Sequence, residues 1–318
     1  MSVQLEFIES KCISNQAPHS AFTDLIFYQN EWYCAFREGS SHMSLDGQAK
    51  VLKSKNGLAW DEFAVLTWQG GDVRDPKFVI RHDGKLLITV GVRLAVPTVL
   101  SEKIFSTSWL FDSDNGLSGP FYCNTSSGTW RWGPTQYGSD IFSVGYAGKD
   151  LEGCLYKSAD GKNWQAYVRP FFPESPCFTN ESSLVFTQSE TAFCLLRRDG
   201  ANCSGLWGVA KKPYTRWNWF NLPLAIGGPK LIELSTGQLI ACFRLIEVDS
   251  EGALEAKTVL YEISPVGEMT FLIQLPSDGD TSYAGMVECD KDLWVSYYSS
   301  HEEKSSIYIA KLHINLTN

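Results

Sequence analysis

The sequence lacks any long apolar run, and no stretch approaches the roughly 18 residues of a membrane-spanning helix. The first nine residues carry acids where a secretory leader needs a basic start followed by a continuous apolar segment. We therefore expect neither a membrane span nor a cleaved leader, and we expect a cytoplasmic protein.

Paired cysteine motifs are also missing. The nine cysteines are odd in number and scattered, without a CxxC pair, and most lie in apolar runs such as residues 32–35 and 240–243. This pattern predicts reduced, buried thiols, as in a cytoplasmic protein, and no metal site. Nothing in the sequence indicates an organic cofactor either.

Basic residues are scarce, with 27 Lys and Arg against 36 Asp and Glu and a net charge of −9. Such a charge gives no overall attraction to nucleic acid or to an anionic membrane, so any anion site must be local. The composition is otherwise that of a globular protein, and the 11 Trp and 26 Gly favour an all-β fold with many turns.

A short apolar segment that ends in Arg or Tyr recurs about every 50 residues, which is the length of a propeller blade. Each copy follows a turn signal, and most of these turns follow another short apolar segment, so the repeating unit is a β-hairpin. The sequence therefore predicts an all-β, six-bladed β-propeller, forming one domain over residues 1–318. Residues 3–8 are expected to add a strand that closes the ring onto the last blade. The six copies end at Arg37, Arg93, Tyr146, Arg197, Arg244 and Tyr298.

Two segments, residues 54–60 and 158–164, share the pattern Ser-x-Asp/Asn-Gly-x-x-Trp, and residues 212–217 look like a degenerate third copy. Asp/Asn-Gly supplies the positive φ of a hairpin turn, and the Trp packs back under it. We interpret these segments as structural rather than catalytic.

With this repeat, the sequence resembles the sialidase (neuraminidase) superfamily, whose six-bladed propellers carry such Asp-boxes, or BNR repeats, between the third and fourth strands of their blades. The resemblance covers nearly the whole chain. Its more specific matches are Asn180-Glu181, Arg197 and Ser282-Tyr283, because the family has a Glu, an Arg and a Tyr in these blades in this order. It implies an exo-sialidase-like glycosidase that removes a terminal sialic acid or a related 2-keto-3-deoxy sugar acid.

The first strand of a blade starts, and the second ends, on the same face of a propeller, so the recurring arginines are expected to share one pocket. Converging guanidinium groups bind a carboxylate bidentately. Arg37, Arg197 and Arg244 are the candidates for this role. Alternatively, each arginine pairs with an acid of its own blade, such as Glu38, Asp199 or Glu247.

The sequence departs from the family in the first blade. The family has Arg-Ile-Pro there, whereas residues 21–24 are Ala-Phe-Thr-Asp, and the one Arg-x-Pro is Arg74-Asp75-Pro76 in the next blade. Either Arg37 or Arg74 takes the place of the missing arginine, or the carboxylate site is altered. The departure bears on the substrate more than on the fold.

The resemblance implies that Tyr283 is the nucleophile and Glu181 its general base. A neutral phenol suits an anomeric carbon that bears a carboxylate, since an anionic nucleophile would be repelled. Tyr283 as a packed corner residue is the alternative.

For the general acid, the match is Asp46 in the loop of residues 38–47, although Asp46-Gly47 is also an ordinary turn dipeptide. Asp75 is the reserve candidate and a substrate contact. His42 is a possible modulator of the site near neutral pH.

Two other classes of function remain open, because a fold does not fix a function. One is a non-catalytic glycan-binding or scaffold propeller. The other is a different sugar-acid enzyme, such as a mutarotase or a lyase. The expected partner in each case is an acidic carbohydrate, and the sequence does not indicate an oligomeric state.

Overall fold

The computed structural model describes residues 2–98, 102–125, 127–248 and 252–317. They form six four-stranded antiparallel sheets, the blades of a β-propeller, which confirms the predicted all-β fold. The described residues include no helix long and apolar enough to span a membrane.

The strands follow the chain from the inside of each blade to its outside. Strand β1 (Ser2–Ser14) is the exception and belongs to the last blade. The first blade comprises β2 (His19–Tyr28), β3 (Glu31–Gly39), β4 (Gln48–Ser54) and β5 (Asp61–Leu66). The second comprises β6 (Gly71–Ile80), β7 (Leu86–Leu94), β8 (Ile104–Asp112) and β9 (Gly116–Tyr122). The third comprises β10 (Trp130–Tyr137), β11 (Asp140–Ala147), β12 (Asp150–Ser158) and β13 (Gln165–Val168).

The remaining three blades have the same order. The fourth comprises β14 (Phe178–Phe186), β15 (Thr191–Asp199), β16 (Leu206–Lys211) and β17 (Asn218–Asn221). The fifth comprises β18 (Gly227–Glu233), β19 (Leu239–Val248), β20 (Leu254–Ile263) and β21 (Met269–Gln274). The sixth comprises β22 (Ser282–Cys289), β23 (Asp292–Ser299) and β24 (Ser306–Thr317), with β1 outermost.

Strand β1 closes the ring. It pairs antiparallel with β24, from Ser2 opposite Thr317 to Ser14 opposite Ile307. The expected closing strand at residues 3–8 is therefore confirmed and extends further at both ends. This pairing places β1 and β24 in one sheet, so both strands contribute to the stability of the last blade.

The innermost strand of every blade carries a β-bulge at an equivalent position. The register shifts occur after Ala21, Arg74, Trp132, Thr179, Gly227 and Ser282. In five of the six bulges one residue has a positive φ: Phe22, Asp75, Gly133, Gly228 and Tyr283. A bulge re-aims the side chain that it carries and is common next to functional sites.

The Ser-x-Asp/Asn-Gly-x-x-Trp segments form hairpin turns between the third and fourth strands of their blades. In the turn of residues 158–164, the Ser158 hydroxyl accepts a hydrogen bond from Gly161 N at 2.9 Å. The indole of Trp164 donates to the carbonyl of Gly161, also at 2.9 Å. The turn of residues 54–60 has the same bonds, and Trp217 makes the equivalent bond to Tyr214.

The cysteines correct one expectation. Cys177 and Cys203 form a disulfide that joins the segment before β14 to the β15–β16 loop, so the prediction that all thiols are reduced is wrong for this pair. Cys12 is exposed and Cys289 is half-buried. The other five cysteines, Cys34, Cys123, Cys154, Cys194 and Cys242, are buried as expected. The cellular compartment stays a prediction.

Candidate active site

Tyr283 and Glu181 are brought together from the sixth and fourth blades, although 102 positions separate them in the chain. The Tyr283 hydroxyl donates to Glu181 Oε1 at 2.8 Å. Arg197 Nη1 lies 2.9 Å from both the Tyr283 oxygen and Glu181 Oε2. A phenol, a carboxylate and a guanidinium group therefore meet at one point.

The bulges explain how the phenol reaches this point. Tyr283 has a φ of 50° in the bulge of β22, and its ring lies edge-on to Phe22 and Trp132, 5.1 and 5.8 Å between ring centroids. Gly228 also lies against this ring, since a Cβ atom there would be 2.5 Å from it. Residues in or next to the bulges of three other blades thus hold this aromatic side chain.

Burial raises the pKa of the Tyr283 phenol well above its usual value, and the neighbouring Glu181 carboxylate raises it further. Arg197 and Arg244 act in the opposite direction but do not cancel the effect. The phenol is therefore neutral at physiological pH and would need a base to become a strong nucleophile.

Arg197 both pairs with an acid of its own blade and reaches Tyr283 of another blade, so it fits both interpretations of the recurring arginines. Besides its contacts with Tyr283 and Glu181, its Nε donates to Asp199 Oδ1 at 2.8 Å. Asp199 in turn accepts a hydrogen bond from Asn180 at 2.7 Å. The acid of its own blade therefore orients the guanidinium group, while the other side of that group faces the phenol.

Arg244 also lies at the site. Its guanidinium group is 5.5 Å from the centroid of the Tyr283 ring, and its Nη1 contacts Asp280 Oδ1 at 3.3 Å. The buried Nε of Arg244 has no hydrogen-bond partner among the described residues. Arg244 is paired with Asp280 rather than with Glu247, which instead contacts Lys257.

Asp280 is the centre of a polar cluster beside Arg244. Its carboxylate accepts from the Tyr298 hydroxyl at 2.6 Å and lies 2.8 Å from His42 Nδ1 and 3.3 Å from His19 Nε2. These hydrogen bonds hold the pKa of Asp280 far below its usual value despite burial. Asp280 is thus anionic at all physiological pH values.

His19, His42 and Asp280 are also the described residues whose ligand atoms lie close enough, within 4.8 Å, to hold a metal ion. A cation bound there would face Arg244, which contacts the same carboxylate. Since like charges repel strongly at such short range, the surroundings favour the hydrogen-bonded cluster over a metal centre.

Arg74 lies beside this cluster. Its Nη1 donates to the His42 carbonyl at 2.6 Å and to Asp72 Oδ2 at 3.0 Å, and its guanidinium group is 4.7 Å from the centroid of the Phe22 ring. Arg74 therefore reaches, from the second blade, the phenylalanine that packs against the Tyr283 ring.

Arg37 is placed differently from the other arginines. It is fully buried, its Nε donates to Asp72 Oδ1 at 2.7 Å, and its terminal nitrogens donate to Ser41 and Ser44. These contacts anchor the loop of residues 40–47, which we call the first-blade loop. All of the Arg37 nitrogens are engaged in this way, so the structure gives Arg37 an anchoring position rather than an open one.

Asp46 is exposed on the first-blade loop, where its carboxylate accepts hydrogen bonds from the backbone and hydroxyl of Ser40 at 3.1 Å. Hydrogen bonds from Ser44 and Ser40 lower the pKa of Asp46. A carboxylate of this kind is ionised at neutral pH, which is opposite to the protonation state that a general acid needs.

Asp75, unlike Asp46, lies in an environment that raises the pKa of its carboxyl group. It lies in the bulge of β6 with a φ of 50°. The protein around it raises the pKa of Asp75 to about 6 through desolvation, against the opposing effect of Arg74 and Lys77. The charge of Glu181 also raises this pKa. Asp75 therefore stays protonated closer to neutral pH than an ordinary aspartate does.

The sequence analysis missed several residues of this site, among them Phe22, Asp72 and Asp280. Asp280 follows a glycine and so looks like an ordinary turn residue, while Phe22 looks like a core residue. A signal was available for Phe22, because it occupies the position in the first blade that Tyr283 occupies in the sixth.

No protein-family model matches the chain, and no curated protein matches it. Solved structures do. A protein of unknown function from Dyadobacter fermentans has a TM-score of 0.79 at 16% identity, covering 98% of this chain and 99% of that one. The Penicillium chrysogenum α-L-arabinanase, solved with arabinobiose, has a TM-score of 0.65 at 12% identity, covering 98% of both chains.

The Trypanosoma rangeli sialidase has a TM-score of 0.61 at 11% identity and covers 93% of this chain, which spans 55% of the length of that sialidase. At these identities the likeness concerns the fold. The chain is therefore a six-bladed propeller of the kind found in sialidases and in other glycosidases that differ in substrate.

Proposed function

We propose that the protein is a retaining glycoside hydrolase that removes a terminal sialic acid or a related 2-keto-3-deoxy sugar acid. The observation that carries this proposal is the hydrogen bond between Tyr283 and Glu181, with Arg197 contacting both. A tyrosine paired with a glutamate at the centre of a propeller provides a neutral nucleophile with its own base.

In the first step, the Tyr283 oxygen attacks the anomeric carbon and its proton passes to Glu181. The glycosidic bond breaks, and the leaving oxygen takes a proton from Asp75. The positive charge of Arg197 next to the Tyr283 oxygen lowers the cost of the negative charge that develops there.

In the second step, a water molecule attacks the same carbon and gives its proton to the Asp75 carboxylate. The bond to Tyr283 breaks, and the phenol recovers its proton from Glu181. Two inversions give net retention of configuration at the anomeric carbon.

In this proposal, the guanidinium groups of Arg244, Arg74 and Arg197 bind the substrate carboxylate. Arg244 carries an unpaired buried nitrogen and faces the Tyr283 ring. Arg74 stacks on Phe22, whose ring packs edge-on against the same tyrosine. Arg37 takes a structural role in this proposal, because its nitrogens are committed to Asp72 and the first-blade loop.

The experiment uses aryl glycosides of several 2-keto-3-deoxy sugar acids with the wild-type protein and with Tyr283→Phe. Tyr308→Phe is the matched control, because Tyr308 also donates to a glutamate, Glu302, but does so from strand β24. Phenol release that is lost in Tyr283→Phe and kept in Tyr308→Phe supports the proposal. Turnover that survives in Tyr283→Phe would overturn it.

A fluorinated sugar acid provides a second test, since it slows hydrolysis of a glycosyl-enzyme intermediate. The expected result is a mass increase on the peptide that contains Tyr283. Modification of a peptide containing Asp75 or Glu181 instead would show a carboxylate nucleophile.

One observation favours a second candidate function, hydrolysis of a neutral glycoside by two carboxyl groups. Burial raises the pKa of Asp75 to about 6, and the charge of Glu181 adds to this effect, so the two carboxyl groups could share the roles of acid and nucleophile. Turnover of neutral aryl arabinosides or galactosides that is lost in Asp75→Asn but kept in Tyr283→Phe would favour this function.

A further inference from the structure

Lys77 places a positive charge inside the propeller. It lies in the innermost strand β6, two residues after Asp75, and only 5% of it is exposed. Its Nζ donates a hydrogen bond to the Thr23 carbonyl at 2.6 Å, which is its one hydrogen bond among the described residues. Burying an ammonium group costs free energy, so its neighbours indicate what the charge stabilises.

Thr23 links Lys77 to the backbone of Tyr283. The Thr23 hydroxyl donates to the Tyr283 carbonyl at 2.9 Å and lies 2.9 Å from the hydroxyl of Ser296. Both Thr23 and Tyr283 belong to β-bulges, those of β2 and β22. Lys77 thus holds the carbonyl of the residue that binds the bulge of the sixth blade.

Trp132 provides a second connection between Lys77 and Tyr283. The Lys77 Nζ is 5.1 Å from the centroid of the Trp132 ring, at a distance where a cation is attracted to an aromatic face. The same ring lies edge-on to the Tyr283 ring, 5.8 Å between centroids. The ammonium group therefore contacts two residues that each contact the tyrosine.

Charged groups of several blades act on the Lys77 ammonium group. Burial lowers the pKa of Lys77, while the negative charge of Asp24 opposes this shift. The charge of Lys230 lowers the pKa further, whereas Asp75 and Glu181 raise it. The three carboxylates favour the charged form of Lys77, which is thereby coupled to the acids of the site.

The Asp75 carboxyl group is affected by this charge in return. Burial raises the pKa of Asp75 to about 6, and Arg74 and Lys77 act against that rise. Glu181 and Asp72 add to it. Removing the positive charge of Lys77 should therefore raise the pKa of Asp75 further, whereas a nearby variant that keeps the charge should not.

We propose that Lys77 is a positioning residue that acts on Tyr283 through the two neighbours they share. Thr23 fixes the backbone of the tyrosine, and Trp132 fixes the orientation of its ring. Lys77 does not take part in bond making or breaking. The inference rests on the proposed function, in which Tyr283 is the nucleophile, but the placement of its ring can be measured without turnover.

The first experiment measures hydrolysis of aryl glycosides of 2-keto-3-deoxy sugar acids by Lys77→Met. The variant should lower kcat about 10–100-fold, because small displacements of a reacting group have effects of this size. KM should change little, since the arginines that bind the substrate carboxylate are retained. The fall of kcat/KM with rising pH should move up by about one pH unit, as the pKa of Asp75 rises.

Lys230→Met is the matched control. Lys230 lies in the innermost strand β18 and forms an ion pair with the buried Asp24 at 3.0 Å, rather than binding Thr23 or Trp132. This variant should lower the melting temperature, because it leaves a buried carboxylate unpaired, but it should keep kcat and the pH dependence. Equal losses of kcat in the two lysine variants would overturn the inference.

Thr23→Val tests the connection while the ammonium group stays. It removes the hydroxyl that binds the Tyr283 carbonyl, so kcat should fall while the pH dependence is unchanged. The double variant with Lys77→Met should lower kcat by less than the product of the two single effects, because both act through one connection. Effects that multiply fully would overturn the inference.

A third measurement does not need turnover. 3-Fluorotyrosine incorporated in place of Tyr283 reports by ¹⁹F NMR on the surroundings of the ring. Its signal should shift and broaden in Lys77→Met and in Thr23→Val, and change less in Lys230→Met. An unchanged signal in both of the first two variants would overturn the inference. Wild-type protein that turns over no glycoside would overturn the proposed function and leave the NMR result to decide this inference.

Discussion

The imidazole of His42, in the first-blade loop, lies 2.8 Å from the carboxylate of Asp280, two residues before the sixth blade begins. The first and last blades thus meet through a polar contact, in addition to the apolar packing between Trp32 and Trp294, whose ring centroids are 4.8 Å apart. The same carboxylate also orients Arg244. A change at Asp280 should therefore affect both stability and ligand binding.

Asp280→Asn is expected to lower the free energy of unfolding by about 1.5–3 kcal/mol, because hydrogen bonds to a charged group are lost inside the protein. Urea unfolding measures this change. Asp278→Asn, two residues earlier and exposed, is the control and should change stability by less than about 0.5 kcal/mol. Equal effects of the two variants would contradict the role given to Asp280.

Asp280→Asn should also change how the stability of the folded protein decreases at acid pH. The pKa of Asp280 is depressed in the folded protein, so its contribution is present above the unfolded pKa of about 4 and is lost as pH falls below that value. Thermal unfolding between pH 5 and pH 2 should therefore show a smaller loss of stability in Asp280→Asn than in the wild type.

The raised pKa of Asp75 predicts how activity falls as pH rises. Its pKa is raised to about 6, and a general acid must be protonated, so kcat/KM should fall as pH rises through about 6. Asp75→Asn should slow glycosides with poor leaving groups about 10²–10⁴-fold. Activated aryl glycosides should be affected far less. Asp46→Asn should leave both classes of substrate nearly unchanged.

Replacing Arg37 and replacing Arg244 by methionine should have different effects, the first on stability and the second on substrate binding. Arg37→Met breaks a buried pair with Asp72 and is expected to cost about 3–5 kcal/mol of unfolding free energy. Arg244→Met should instead raise KM for acidic glycosides about tenfold or more, since a charge-assisted contact is lost. A KM effect in a stably folded Arg37→Met that matched the effect in Arg244→Met would show that Arg37 contacts the substrate.

The absence of a side chain at Gly228 leaves room for the Tyr283 ring. A Cβ atom at Gly228 would lie 2.5 Å from that ring, whereas the Cβ atom of an alanine at Gly237 would meet nothing within 4 Å. Both glycines have positive φ, 53° and 92°, so both alanine variants carry the strain of about 1 kcal/mol. Gly228→Ala should in addition reduce kcat at least tenfold, and Gly237→Ala should not.

The fold was predictable because a propeller repeats. The apolar segments that end at Arg37, Arg197 and Arg244 became second strands of their blades, as the spacing indicated. The pairing of Tyr283 with Glu181 followed from the same register. What the sequence could not reveal was the direction of individual side chains, which depends on the bulges.

Two residues illustrate this limit. Arg37 has the same place in its blade as Arg244, yet it is drawn into a buried pair with Asp72, an acid from the next blade that no local pattern connects with it. Asp46 matched the expected acid by position, but its loop turns it toward Ser40. Contacts between blades and within loops decide such cases, and neither is periodic in the sequence.

The bulge in each of the six innermost strands leaves one or two residues outside the regular strand pairing of the sheet. A residue in a bulge has no partner in the strand ladder, so replacing it does not disturb the pairing of β-strands on either side. Phe22, Asp75, Gly133, Gly228 and Tyr283 occupy such positions. The side chains at these positions therefore differ from blade to blade, as Phe22, Asp75 and Tyr283 do, while all six sheets keep the same four-stranded order.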